Sequence, residues 1–214
     1  MKEKLPIVVL ISGFGSNLQA IIDAVANGLA VDIKAVISNQ PDAYGLKRAE
    51  QAGIPTRVID HRAFKNRDAF DAALADCISS YQPQLIVLAG FMRLLGPVFI
   101  RGFYGQLINI HPSLLPKYPG LNTHEQAIVA GDKVHGVSIH FVDEGMDAGP
   151  LIAQAEVTIA SIDTPALLKD KIHRLEHAIY PQVIGWFAER KLKLVGRVVL
   201  LDGQPLARQG YLFR

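Results

Sequence analysis

The sequence predicts an α/β fold, a doubly wound and mostly parallel sheet flanked by helices, on three observations. Runs that are apolar throughout, Ile7 to Ile11 and Leu85 to Ala89, have the pattern of strands covered on both faces. Apolar residues recur at helical spacing in the segments between such runs. Strand and helix signals alternate through the first half, the order that gives parallel strands with right-handed crossovers.

Each element follows from its own residues. The first strand, Ile7 to Ile11, is β-branched and ends in Ser12-Gly13-Phe14-Gly15-Ser16-Asn17, after which Leu18, Ile21, Ile22 and Val25 mark a helix. Ile33 to Ser38 reads as the second strand, and a short helix from Leu46 to Ala52 stops at Gly53. Thr56 to Ile59 is a third strand. Phe70, Leu74, Cys77, Ile78 and Tyr81 form the stripe of a longer helix closed by Pro83. Leu85 to Ala89 is the fourth strand. Further on, Leu107 to His111 reads as a strand entering a proline-rich loop, Thr123 to Ala130 as a helix, and Gly136 to Val142 as an alternating strand. Leu151 to Val157 returns as another strand, parallel or antiparallel. Ala166 to Glu189 is helical, with Pro181 expected to kink it or mark a boundary. Val198 to Leu201 and the Asp202-Gly203 turn begin a terminal hairpin. No repeat or linker interrupts the chain, so one domain over 1–214 is expected, with halves 1–101 and 102–214.

Composition excludes several classes. Half of the 214 residues are hydrophobic and 20% are charged, a mix that buries a core and rules out intrinsic disorder. A net charge of +2, with its densest cluster at Arg190-Lys191-Leu192-Lys193, gives no footprint for nucleic acid. The apolar runs are too short to span a bilayer. Lys2 and Lys4 precede an apolar run with no small-residue cleavage site. The single cysteine, Cys77, cannot form an internal disulfide, which predicts a reducing, cytoplasmic location.

Three segments carry chemistry-bearing residues. In Gly13-Phe14-Gly15-Ser16-Asn17, glycines admit a ligand to the backbone and the next helix offers free amides and a positive dipole end. That suits a phosphate, or it is a tight turn with Ser16 or Asn17 as cap. Leu18 stands where a dinucleotide fingerprint has its third glycine, which argues against that class. In Leu107 to Pro116, strand alternation points Asn109 and His111 to one side and Ile108 and Ile110 to the core. An amide donor beside an imidazole suits acyl chemistry, although a solvated strand end with a capping His has the same sequence. The loop from Asp143 to Pro150 could bring Asp147 against such a His, or be a charged surface loop. His111, His124, His135, His140 and Asp147 have no metal-ligand spacing, so no metal is expected. By spacing alone, Asn39, Arg67, Arg93 and Tyr118 read as ordinary surface or loop residues.

Taken together, these segments resemble the folate-dependent phosphoribosylglycinamide formyltransferase family. The likeness runs through Ile11-Ser12-Gly13-Phe14-Gly15-Ser16-Asn17-Leu18-Gln19 and Leu88-Ala89-Gly90-Phe91-Met92-Arg93. It continues through Asn109-Ile110-His111-Pro112-Ser113-Leu114-Leu115-Pro116-Lys117-Tyr118-Pro119-Gly120, the loop to Asp147, and Glu176-His177-Ala178-Ile179-Tyr180-Pro181. The resemblance implies transfer of a formyl group from 10-formyltetrahydrofolate to the primary amine of glycinamide ribonucleotide, a Rossmann-type first half, and a monomer or weak homodimer with no nucleic-acid or membrane partner. It implies substrate-phosphate contacts at Gly15, Ser16 and Asn17 and a ribose contact at Glu176. Arg67, Met92, Arg93, Leu94, Leu95 and Asn109 match folate-binding positions, and Asn109, His111 and Asp147 the catalytic trio. Arg93 would meet a folate carboxylate, while Met92, Leu94 and Leu95 would wall the pterin region. Phe14 stands where many relatives have a polar residue, commonly Asn, and Asn122 where some have His. Neither touches the trio.

Overall fold

Ile7, Val9 and Ile11 bury in one core, while Val8 and Leu10, pointing the other way, bury in a second. This period of two with apolar residues on both sides is what places the first strand at the centre of a covered sheet. The computed structural model describes residues 4–213, and Lys2 of the N-terminal reading lies outside them. The first half runs β1 (Leu5–Ile11), α1 (Ser16–Ala26), β2 (Val31–Ser38), α2 (Tyr44–Gln51), β3 (Thr56–Val58), α3 (Arg67–Ser80), β4 (Leu85–Leu88) and α4 (Pro97–Gly102). The second half begins with β5 (Leu107–His111), α5 (Thr123–Val129), β6 (Val134–Phe141), β7 (Leu151–Thr158) and α6 (Pro165–Ala188). It closes with β8 (Leu192–Val195), β9 (Val198–Leu201), β10 (Gln204–Pro205) and β11 (Tyr211–Phe213).

Eight strands form one sheet in the order β11-β7-β6-β5-β4-β1-β2-β3. The pairs of β1 with β2 and β4, β2 with β3, and β4 with β5 are parallel. β6 is antiparallel to both β5 and β7, so the return strand 151–157 takes the antiparallel option, and β11 adds in parallel at the edge. The doubly wound, mostly parallel fold class is therefore the observed one. Helices α1, α2 and α6 pack one face through Leu18, Ile21, Leu46, Ile172 and Val183, and α3 and α4 pack the other through Phe70, Leu74, Phe99 and Ile100.

Three elements differ from expectation. Pro181 marks no boundary, because α6 continues through it from Pro165 to Ala188. The helix is held to the sheet on both sides of the proline by Ile179, Tyr180, Val183 and Ile184, and the Tyr180 hydroxyl donates to the Leu88 carbonyl at 2.9 Å. The terminal hairpin of β9 and β10 gains a further strand, β8, in a separate antiparallel sheet. The short helix α4, which begins with Pro97 at its first turn, has no counterpart in the sequence reading.

Candidate active site

The strand order reverses around β1, which lies between β4 and β2, so the loops after β1 and β4 emerge side by side at the carboxyl edge of the sheet. They are tied together. The Ser12 amide donates to the Gly90 carbonyl at 3.1 Å, and the Met92 amide donates to Ser12 Oγ at 2.7 Å. Ser12 in turn donates to Asn39 Oδ1 at 2.5 Å. Asn39, expected at the surface, is buried beyond β2 and locks both loops, because a buried amide needs such a partner.

The first loop has the form of an anion site. Gly15 adopts φ +74°, and a Cβ there would stand 2.7 Å from Gly45 Cα, so only glycine fits the approach of α2. Gly15 itself is the cap of α1 and gives no side-chain bond to the first-turn amides, correcting the capping role expected of Ser16 or Asn17. Those amides and the positive helix end remain turned to the loop. Asn17 Nδ2 instead donates to Glu176 Oε2 at 3.0 Å, linking α1 to α6 across 159 positions. Burial pushes the pKa of Glu176 up to about 7. Phe14 supplies packing where a polar side chain would supply a donor. It stacks on Tyr44, and the Arg48 guanidinium lies 4.4 Å over its ring while Nε donates to its carbonyl.

Asn109 and His111 leave β5 on the same side, as strand alternation requires, and β6 places His140 opposite Asn109. His140 Nδ1 lies 2.8 Å from the Phe141 carbonyl, which only accepts, so Nδ1 carries the proton. Nε2 is then a bare acceptor, and Asn109 Nδ2 donates to it at 3.2 Å, which fixes the amide and leaves one N–H free. Burial pushes the His140 pKa down and keeps this neutral form. His111 is buried, with Nε2 donating to the Tyr118 carbonyl at 2.8 Å and Nδ1 facing Asp147 Oδ2 at 3.4 Å. The Tyr118 carbonyl only accepts, so Nε2 carries a proton, and the Asp147 carboxylate faces the other ring nitrogen. Tyr118, expected as an ordinary loop residue, thus holds the imidazole through its backbone. Asp147 sits at φ +47°, accepts from the Gly120 amide at 2.8 Å and reaches to 3.7 Å from His140 Nε2. The sequence reading missed His140 as a partner of Asn109. The polar alternation of Ser138 and His140 in their strand was the available signal.

In the segment after β4, Met92 and Leu94 are exposed, and Arg93 is half-buried with its guanidinium 5.7 Å from the Phe70 ring. Leu95 turns inward and packs with Phe91 and Phe99, so it supports this segment from beneath. Arg67 is exposed at the first residue of α3. Among the described residues, no group of three or more His, Cys, Asp or Glu is placed to hold a metal, and no helix is long and apolar enough to cross a membrane.

The chain is similar to known proteins over most of its length. The formyl transferase family profile matches residues 5–184. Phosphoribosylglycinamide formyltransferase of Escherichia coli is 52% identical over 206 residues, covering 96% of this chain and 97% of that one. The trifunctional purine biosynthetic protein adenosine-3 of Drosophila melanogaster is 50% identical over 84% of this chain, which spans 14% of that protein. The solved phosphoribosylglycinamide formyltransferase of Coxiella burnetii superposes with a TM-score of 0.97 at 58% identity, covering 99% of this chain and 100% of that chain. A family profile matching most of the chain and relatives so close along its whole length place it in the formyl transferase family, among the phosphoribosylglycinamide formyltransferases of purine biosynthesis.

Proposed function

We propose that this chain transfers the formyl group of 10-formyltetrahydrofolate to the primary amine of glycinamide ribonucleotide, with Asn109, His111 and Asp147 as catalytic residues. The observation that carries this reading is their convergence: the His111–Asp147 approach of 3.4 Å beside an Asn109 amide fixed by His140. The substrate phosphate sits on the amides of Gly15, Ser16 and Asn17, and Glu176 accepts from the ribose hydroxyls. Arg67, Met92, Arg93 and Leu94, with Leu95 behind them, receive the folate, Arg93 by its charge. Glu176 and the 92–95 segment lie in opposite halves of the chain, so 1–101 and 102–214 both contribute to the site.

The amine nitrogen attacks the formyl carbon, and negative charge develops on the formyl oxygen. The free N–H of Asn109 and the imidazolium of His111 stabilise that charge. As the carbon–N10 bond breaks, N10 takes up a proton and the attacking nitrogen gives one up. His111 has both nitrogens engaged, so its charge acts first, and it moves a proton only by exchanging the Tyr118 or Asp147 contact for a substrate or water.

The test is a rate assay with both substrates, following the absorbance change of the folate. Formyl transfer that requires the amine is expected. Loss of formyl groups without the acceptor would make the protein a hydrolase. Replacing Asn109 with Ala should lower kcat by about 10²–10³ with little change in either KM.

A further inference from the structure

We infer that Asp71, which has no part in the chemistry above, is a positioning residue for the formyl-donor site. The inference rests on the folate reading of segment 92–95 and deepens it. Asp71 lies on α3, four residues after Arg67, so the two share a helix face. It is 5% exposed, and its Oδ2 accepts from the Gly96 amide at 2.6 Å. Gly96 is the residue at which the donor segment turns into α4. A Cβ on Gly96 would stand 2.8 Å from Asp71 Oδ2 and 3.6 Å from Arg67 Nε, so the turn is seated directly on this carboxylate.

Burial, with the neighbouring Asp68, pushes the Asp71 pKa up, while the Gly96 amide and the charges of Arg67 and Arg93 oppose it. Asp71 Oδ1 and Arg93 Nε are each buried without a hydrogen-bond partner. A buried carboxylate with one partner is costly and persists only where something compensates it. Here it anchors the end of the segment through the Gly96 amide. Asp71 therefore sets where Met92, Arg93 and Leu94 stand, without touching the donor.

The test is steady-state kinetics with glycinamide ribonucleotide and 10-formyltetrahydrofolate on four variants. Asp71→Leu removes the acceptor, and Gly96→Ala pushes the same contact apart while keeping Asp71. Each should raise the donor KM roughly tenfold, the scale of one lost charge-assisted hydrogen bond, and leave the amine-substrate KM unmoved. Asp71→Asn keeps an acceptor for the Gly96 amide and should restore most of the donor KM. A merely structural role would lower stability and active fraction without moving one KM alone. Arg93→Ala separates the two layers of the reading. If it leaves the donor KM unchanged, the folate assignment of this segment fails and this inference with it. If Arg93→Ala raises that KM while Asp71→Leu and Gly96→Ala do not, the inference alone is overturned.

Discussion

A carboxylate that is 5% exposed, with the Asn17 amide as its hydrogen-bond partner, is costly to ionise, and α6 holds Glu176 in that position. Its folded pKa of about 7 lies above its ordinary value of 4.5. What it contributes to stability is thus fully present below that ordinary value and is lost as pH rises through the folded one. At about pH 8, Glu176→Gln should be more stable than the parent by about 3 kcal/mol, the gap closing toward pH 4.5. Urea unfolding at the two pH values checks this, and a gap independent of pH would show that Glu176 is not titrating. The same variant should bind glycinamide ribonucleotide less well, which would identify the strain as functional. At this scale, Asn109 and His111 were legible because alternation along a strand is local. The Asn17–Glu176 bond and the His140–Asn109 bond were not, since each joins segments whose proximity only the tertiary fold decides.

Strongly patterned elements were read nearly to their ends whatever their length, as in β5 and β9, and in α3 to within a turn. Elements defined by a distant neighbour were not. β11 has three residues and forms because β7 presents an open edge at Ala153 to Ala155, where Trp186 stacks on Phe213. Nothing within Tyr211 to Phe213 announces either neighbour. The fit of α2 against the loop after β1 belongs to the same scale. A Cβ on Gly45 would stand 2.6 Å from Ile11 Cδ1 and 3.3 Å from Gly15 Cα. Gly45→Ala should therefore push α2 and the loop apart, costing about 1–3 kcal/mol of stability. It should also raise the KM for glycinamide ribonucleotide while leaving the folate KM in place. Kinetics with each substrate varied in turn would show this, and an unchanged substrate KM would mean the loop keeps its shape without α2.

For the molecule as a whole, alternation of strands and helices gave the parallel, doubly wound first half, since crossover handedness leaves few topologies. The second half was harder because β6 and β7 are antiparallel and the proline-rich loop between β5 and α5 has no period. That mixed region is where Asp147 is brought to His111: the loop after β6 and the Gly120 amide converge on strand β5. In the proposed mechanism this convergence, and no single residue, drives formyl transfer. Asp147→Asn tests it most directly, because it keeps the size of the side chain and an acceptor for Gly120 but removes the charge beside His111. Initial rates with both substrates at saturation should fall by about 10²–10⁴, the range of a lost general acid–base group. Both KM values and the urea midpoint should stay close to those of the parent. A variant that turns over within a few-fold of the parent would contradict the account.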